Sequence, residues 1–143
     1  MNQTEWTVGA HRLRFEEPDL VMAELIGPVG MGDAKELVRV LREIGASRPY
    51  YFCGDVSRST IKGEARRYVG EGMSEAWLKG LIYYGVGPLH RAMGKAIMLA
   101  MYFSGHVGID AHMFATKAEA LAHIEKMRLK ASQSELGGAA GGG

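Results

Sequence analysis

A chain of 143 residues, 47% of them hydrophobic, has the length and the apolar content of one globular domain with its own core. Its formal net charge of +1 argues against a general nucleic-acid binder, because such proteins concentrate positive charge on one surface. The single cysteine, Cys53, excludes a disulfide bond within the chain and suits a reducing compartment. The first residues lack the basic and then apolar order of a secretory signal, and no apolar run approaches the ~20 residues of a spanning helix. These totals predict a cytoplasmic protein without a membrane span.

Two strands are predicted at the start of the chain. Apolar and polar residues alternate over residues 6–15, which is typical of a half-buried strand, with an interruption near Gly9. A turn over residues 16–19 leads to a second strand, Leu20 to Val29, so we expect a hairpin. Gly27-Pro28 indicates that the second strand stops pairing near its end.

The first helix is marked by a cap, an apolar stripe and a terminating glycine. Asp33 is placed to cap its amino end, with Glu36 three residues later. Gly45 is expected to end the helix as a left-handed cap. The stripe predicted to face the sheet contains Leu37, Val40, Leu41 and Ile44.

The stretch from Pro49 to Val69 carries the functional prediction. A short apolar run typical of a buried strand stops at Gly54, and the polar residues Asp55 to Thr60 are interpreted as a turn. A second helix is predicted from about Ile61 to Trp77, with a break near Gly70. Because ligands and partners gather at the carboxyl ends of strands in open α/β sheets, this turn is the expected functional surface.

Two more strands and two more helices complete the predicted domain. The strands are Leu78 to Val86 and His106 to Phe114, and the helices run from about Leu89 to Phe103 and from Thr116 to near Lys130. The order β-β-α-β-α-β-α-β-α, about five strands and four helices, predicts an α/β (α+β) mixed sheet with helices packed on it. Residues 1–130 are expected to form one domain, and residues 131–143 a flexible Gly/Ala-rich tail.

This order, the chain length and the Asp-Val-Ser run that follows the third strand resemble a STAS domain, the fold of the bacterial anti-sigma-factor antagonists, over about Arg12 to Arg128. More narrowly, the chain resembles STAS-like bacterial proteins of unknown function that are grouped with the antagonists by structure and with lipid-transfer domains by name. In the antagonists, a partner kinase phosphorylates a serine at the amino end of the second helix. On this resemblance, Asp55 takes the place of the strand-end acid, and the nearby hydroxyls supply candidate phosphorylation sites. The Asp-Ser pair of the antagonists is not present at Ser59 or Thr60.

The predicted function is that of a non-enzymatic regulatory or scaffolding domain that binds a protein partner through this turn and the start of the second helix. A phosphate at a helix amino end would meet free N–H groups and the positive end of the helix dipole. The alternative interpretation is that the same side chains are turn and cap residues and a solvated helix face. The candidate partner-binding or phosphorylatable residues are Asp55, Ser57, Ser59, Thr60, Arg66 and Arg67.

The second functional alternative rests on the predicted third helix, whose segment Ala96 to Phe103 is apolar all round. Methionine-rich surfaces adapt to varied ligands, so this helix could wall a pocket for a lipid or another small apolar ligand. A homodimer face and ordinary core packing are the other interpretations of the same pattern. The candidate pocket residues are Ile97, Met98, Met101 and Tyr102.

Nothing in the sequence indicates catalysis, a metal or a cofactor. The five histidines lack the spacing of a metal site, and no Gly-x-Ser-x-Gly elbow occurs. The pairs Gly70-x-Gly72 and Gly85-x-Gly87 lack the rest of a nucleotide-binding fingerprint. Cys53 falls in a predicted strand and is interpreted as a small core residue.

Overall fold

The computed structural model describes residues 4–61, 63–74, 76–87 and 111–141. In these ranges six strands form one sheet in the order β1-β2-β3-β4-β5-β6. The first two pairs of neighbours are antiparallel and the last three pairs are parallel, so the predicted mixed sheet is confirmed. The strands are β1 (Glu5–Val8), β2 (His11–Glu16), β3 (Leu20–Val29), β4 (Tyr50–Ile61), β5 (Leu78–Tyr84) and β6 (Ala111–Met113).

Helices cover both faces of the sheet. The described part of the chain contains α1 (Met31–Ser47), α2 (Gly63–Gly72) and α3 (Lys117–Gly141). One core lies between the sheet and the helices α1 and α2, where the predicted stripe of α1 is buried against strand residues such as Val21 and Phe52. A second core lies on the other face, where Ala120 and Ile124 of α3 pack on Met22 and Cys53.

The carboxyl halves of β3 and β4 extend beyond their neighbours. β2 pairs with β3 only as far as Glu24, and β5 pairs with β4 only as far as Asp55. Past these points β3 and β4 continue side by side, with Ile26 opposite Arg58 and Val29 opposite Ile61. We call residues 25–29 of β3 and 56–61 of β4 the ribbon. Among the described strands, its two halves pair only with each other.

The ribbon corrects the central local prediction. The residues interpreted as a turn, Asp55 to Thr60, are part of β4, and only residue 62 separates that strand from α2. Pairing also continues through Gly27 and Pro28, whose partners on β4 are Ser59 and Thr60. The predicted turn was therefore wrong, although the strand does lead into a helix.

Helix ends differ from the predictions in three places. α1 begins after Gly30 with no side-chain cap and continues through Gly45 to Ser47. α2 ends at Gly72, close to the predicted break at Gly70. α3 runs to Gly141, so its predicted end near Lys130 was wrong; the mobility of the last residues stays a prediction. The helix predicted at 89–103 lies outside the described residues.

The last helix has the threonine cap of the predicted capping box, whereas the Glu119 carboxylate accepts from the Thr116 hydroxyl and not from its backbone N–H. The N–H of Glu119 donates to Oγ1 of Thr116 at 3.2 Å, and the Thr116 hydroxyl donates to the Glu119 carboxylate at 2.9 Å. The cap stabilises the first turn of α3 by satisfying a backbone donor that has no partner within the helix.

Candidate partner-binding site

A bulge in β4 sets the shape of the ribbon. Between the pairs Glu24–Asp55 and Ile26–Arg58, two residues of β4 lie opposite one residue of β3. Oδ1 of Asp55 accepts hydrogen bonds from the N–H of Ser57 at 2.9 Å and from its hydroxyl at 2.7 Å. These bonds satisfy the backbone donor that the bulge removes from the ladder and leave the side chain of Ser57 exposed.

A glycine of the next strand's end packs against this bulge. Gly85 has a φ of +74°, and a Cβ added there would lie 2.6 Å from Cβ of Ser57. Its N–H donates to the carbonyl of Ala115 at 3.1 Å, which turns the chain away from β4 after Tyr84. The ribbon is therefore left without β5 beside it, and the bulge has a close neighbour that only glycine accommodates.

Charged side chains line the solvent side of the bulge. Glu24 and Asp55 lie directly opposite each other on β3 and β4, an unfavourable arrangement for two carboxylates. Arg58 offsets it by donating from Nη2 to Glu24 at 2.9 Å. Both partners of this ion pair are exposed, so it contributes little to stability and can be exchanged for contacts with another molecule.

The two hydroxyl residues that follow have different surroundings. Ser59 is only 6% exposed, and its Oγ donates to the carbonyl of Gly27 at 2.9 Å across the ribbon. Thr60 is half-buried. Neither residue lies at the amino end of α2, which begins at Gly63. The alternative interpretation of these two hydroxyls as helix caps was therefore wrong.

The two arginines of the predicted site lie on α2. Arg66 is half-buried and Arg67 is exposed. Within the described ranges, neither guanidinium forms an ion pair with Asp55 or with another carboxylate. The structure thus gathers Asp55, Ser57 and Arg58 at the bulge and leaves the two arginines as separate positive charges on the adjoining helix.

An apolar cavity of about 70 Å³ lies beneath the ribbon. Leu25 and Val29 of β3 close it on one side, and Leu41 of α1 and Met73, which follows α2, close it on the other. Tyr83, whose ring meets that of Phe52 edge to face at 6.0 Å, also lines the cavity. Burial raises the pKa of Tyr83 to about 12, so its phenol is neutral at physiological pH.

The cavity is not the pocket that the sequence predicted. Ile97, Met98, Met101 and Tyr102 fall in the part of the chain that the structure does not describe. The sequence predicts residues 25–29 as part of the second strand and Leu41 as part of the apolar stripe of the first helix, without a cavity between them. Their sequence signal is the apolar character of residues 25–29; that this strand end continues past its pairing with β2 is seen only in the structure.

The described ranges show neither an activated thiol nor a cluster of metal ligands. Burial, the largest effect, raises the pKa of Cys53 to about 12, so this thiol is a poor nucleophile and serves as core. Among the described residues, no three His, Cys, Asp or Glu side chains gather as metal ligands would. In the same ranges, no helix has the length and apolar character required to cross a membrane.

Two solved structures share the fold. The structure of the anti-sigma factor antagonist SpoIIAA in its unphosphorylated form is 13% identical, with a TM-score of 0.53 over 81% of this chain and 98% of that chain. The structure of the Bacillus cell fate determinant SpoIIAA in the phosphorylated form is also 13% identical, with a TM-score of 0.51 over 80% of this chain and 99% of that chain. No family model and no curated protein matches the sequence. The likeness confirms the predicted STAS fold.

Proposed function

We propose that this domain is a non-enzymatic regulatory protein that binds a protein partner through the solvent side of the ribbon and the adjoining start of α2. The carrying observation is the ribbon itself, which extends past β5 and exposes Ser57 and Arg58. Exposed backbone and side chains at the rim of a well-packed sheet are a common place for binding. The fold shared with an anti-sigma factor antagonist supports a regulatory role.

Ser57 is the hydroxyl on which regulation by phosphorylation acts. It is exposed, whereas Ser59 is buried and bonded across the ribbon. A phosphate on Ser57 would break the bond to Asp55 and place at least one more negative charge beside two carboxylates, Asp55 and Glu24. The bulge would then change shape and charge together, and a partner that recognises the unmodified bulge would dissociate.

Affinity capture from the native host with quantified recovery tests this proposal. Ser57→Asp and Arg58→Glu should each reduce recovery of the partner at least tenfold, because they change the charge of the contact surface without touching the core. Ser132→Asp, an equally exposed Ser-to-Asp change on α3, is the matched control and should recover the partner as the parent does. Equal recovery by all three variants would remove the ribbon as the binding surface.

A second candidate function, binding of a small apolar ligand, is favoured by the cavity beneath the ribbon. At about 70 Å³ it is less than half of the ~150 Å³ engineered cavity that admits benzene. It therefore suits a short branched group or the tip of an acyl chain rather than a whole lipid. Native mass spectrometry of protein purified from its host should show an added mass that Val29→Phe abolishes; an unliganded mass at high recovery would exclude this function.

A further inference from the structure

A buried histidine connects the ribbon to the first helix. His11 is 1% exposed, at the start of β2. Its Nδ1 accepts a hydrogen bond from the N–H of Ile26 at 3.0 Å, at the point where β3 leaves its pairing with β2. Its Nε2 lies 3.3 Å from Oδ2 of Asp33 in the first turn of α1. One imidazole thus joins three elements of the fold.

These contacts define which nitrogen carries the proton. Since Nδ1 accepts from a backbone N–H, the neutral ring must hold its proton on Nε2 and donate it to Asp33. A protonated ring carries N–H groups on both nitrogens, so Nδ1–H and the N–H of Ile26 would face each other as two donors. A buried N–H that loses its acceptor costs about 1–3 kcal/mol. The hydrogen bond between Nδ1 of His11 and the N–H of Ile26 therefore cannot persist when the ring is protonated.

The charge of the ring decides which contact is lost. The imidazolium gains attraction to the Asp33 carboxylate, which remains bound to it on the α1 side. Gly9 allows this close approach, because a Cβ there would lie 2.9 Å from Oδ1 of Asp33. The part that must move is therefore β3 at Ile26, together with the ribbon that follows it.

Among the residues that the structure describes, Asp33 is the charged side chain that forms a hydrogen bond or ion pair with the ring. The β1 residue opposite His11 is Val8. The neighbouring charges, Arg12 on β2 and Glu24 opposite it on β3, alternate to the other face of the sheet. Asp33 is thus the carboxylate that sets the electrostatic surroundings of the ring.

The geometry points to a proton-operated switch: protonation of His11 releases the ribbon from β2 while the ring stays bound to α1. Histidine is the side chain that most often serves as a proton-operated element in proteins, because its ring nitrogens can both accept and donate. Release of the ribbon would alter both the bulge and the ribbon residues that line the apolar cavity. The switch concerns the position of the ribbon and does not require that a partner binds there.

Nuclear magnetic resonance on the wild-type domain tests the switch. The ring signals of His11 report its protonation, and amide protection factors between pH 8 and 5, corrected for the pH dependence of chemical exchange, report the ribbon. We expect the protection of Ile26, Val29 and residues 58–61 to fall at least tenfold with the same midpoint as the ring. Amides of residues 20–24 and 50–55 should keep their protection, because these parts of β3 and β4 have neighbours on both sides.

Two variants sharpen the test. In His11→Gln, ribbon protection should no longer change with pH, and in Asp33→Asn the midpoint should move to lower pH because the imidazolium loses its carboxylate. Three results would overturn the proposal: a ring that titrates while ribbon protection stays constant, a loss of protection spread evenly over the sheet, or a ring that stays neutral until the domain unfolds. If His11→Gln does not fold, the wild-type measurement still decides.

Discussion

Two serines on one strand, two residues apart, have opposite surroundings. The hydroxyl of Ser57 is in solvent and binds the Asp55 carboxylate, a local contact within the bulge. The hydroxyl of Ser59 is buried and joins β4 to the carbonyl of Gly27 on β3. One residue is open to modification or to a partner, whereas the other holds the two halves of the ribbon together.

Alanine substitutions at the two positions should therefore differ in their effect on stability. Ser59→Ala removes a buried hydrogen bond and leaves the Gly27 carbonyl without this donor, so it should lower the free energy of unfolding by about 1–2 kcal/mol. Ser57→Ala changes an exposed side chain and should stay within about 0.5 kcal/mol of the parent. Urea unfolding measures both, and equal effects would contradict the different roles assigned here.

At the scale of elements, the bulge explains why the second half of β4 resembled a turn in sequence. Phe52, before the bulge, and Val56, within it, line the cavity; after the bulge, Ser59, Thr60 and Ile61 do. The extra residue interrupts the alternation of inward-facing positions, which breaks the period of two that identifies a half-buried strand. With polar residues at the remaining positions, the segment has the composition of a turn although it is paired.

Elements governed by local signals were predicted well. β3 spans the predicted residues 20–29, and the apolar stripe of α1 is buried as expected. The end of α1 was missed because Gly45 is required by a neighbour rather than by a left-handed cap: a Cβ there would lie 2.6 Å from the side chain of Trp77. A contact between residues this far apart in sequence leaves no local pattern.

A second close approach, between α1 and α2, gives a matched test. A Cβ at Gly72 would lie 2.6 Å from Cγ1 of Val38, whereas nothing lies within 4 Å of a Cβ at Gly32. Gly72→Ala should therefore force the helices apart and lower the free energy of unfolding by about 1–3 kcal/mol. Gly32→Ala should raise it by about 0.5 kcal/mol through the lower entropy of the unfolded chain. Thermal unfolding measures the stability of both variants. If Gly72→Ala stabilises the protein, α1 and α2 are not closely packed at Gly72 and Val38.

At the scale of the whole molecule, one carboxylate ties three distant parts of the chain together. Asp19, in the turn between β2 and β3, accepts from Nζ of Lys79 on β5 at 2.9 Å. Its other oxygen accepts from Nη2 of Arg128 on α3 at 2.6 Å and from Nε at 3.0 Å. Both cations also lie near the ring of Tyr51, at 5.5 and 5.9 Å from its centroid. This network fixes α3 on the face of the sheet opposite the ribbon's cavity.

The network should make stability depend on acid pH. Burial alone would raise the pKa of Asp19, but the hydrogen bonds from Lys79 and Arg128 outweigh it and hold the pKa below its ordinary value of 3.8. A carboxyl whose pKa is lowered by folding stabilises the fold above its ordinary pKa, and this contribution is lost as the pH falls through the lowered value. Stability should therefore decline as the pH falls below about 4.

Asp19→Asn isolates this contribution. At pH 7 it should lower the free energy of unfolding by about 2 kcal/mol, since an amide replaces a carboxylate that accepts bonds from two cations. The difference from the parent should shrink as the pH falls below about 4, because the parent then loses the same charge. Glu17→Gln, an exposed carboxylate in the same turn, should stay within about 0.5 kcal/mol of the parent at every pH. Urea unfolding from pH 7 to pH 2 measures these free energies. If the difference between the parent and Asp19→Asn does not change with pH, the charge of Asp19 does not hold α3 on the sheet.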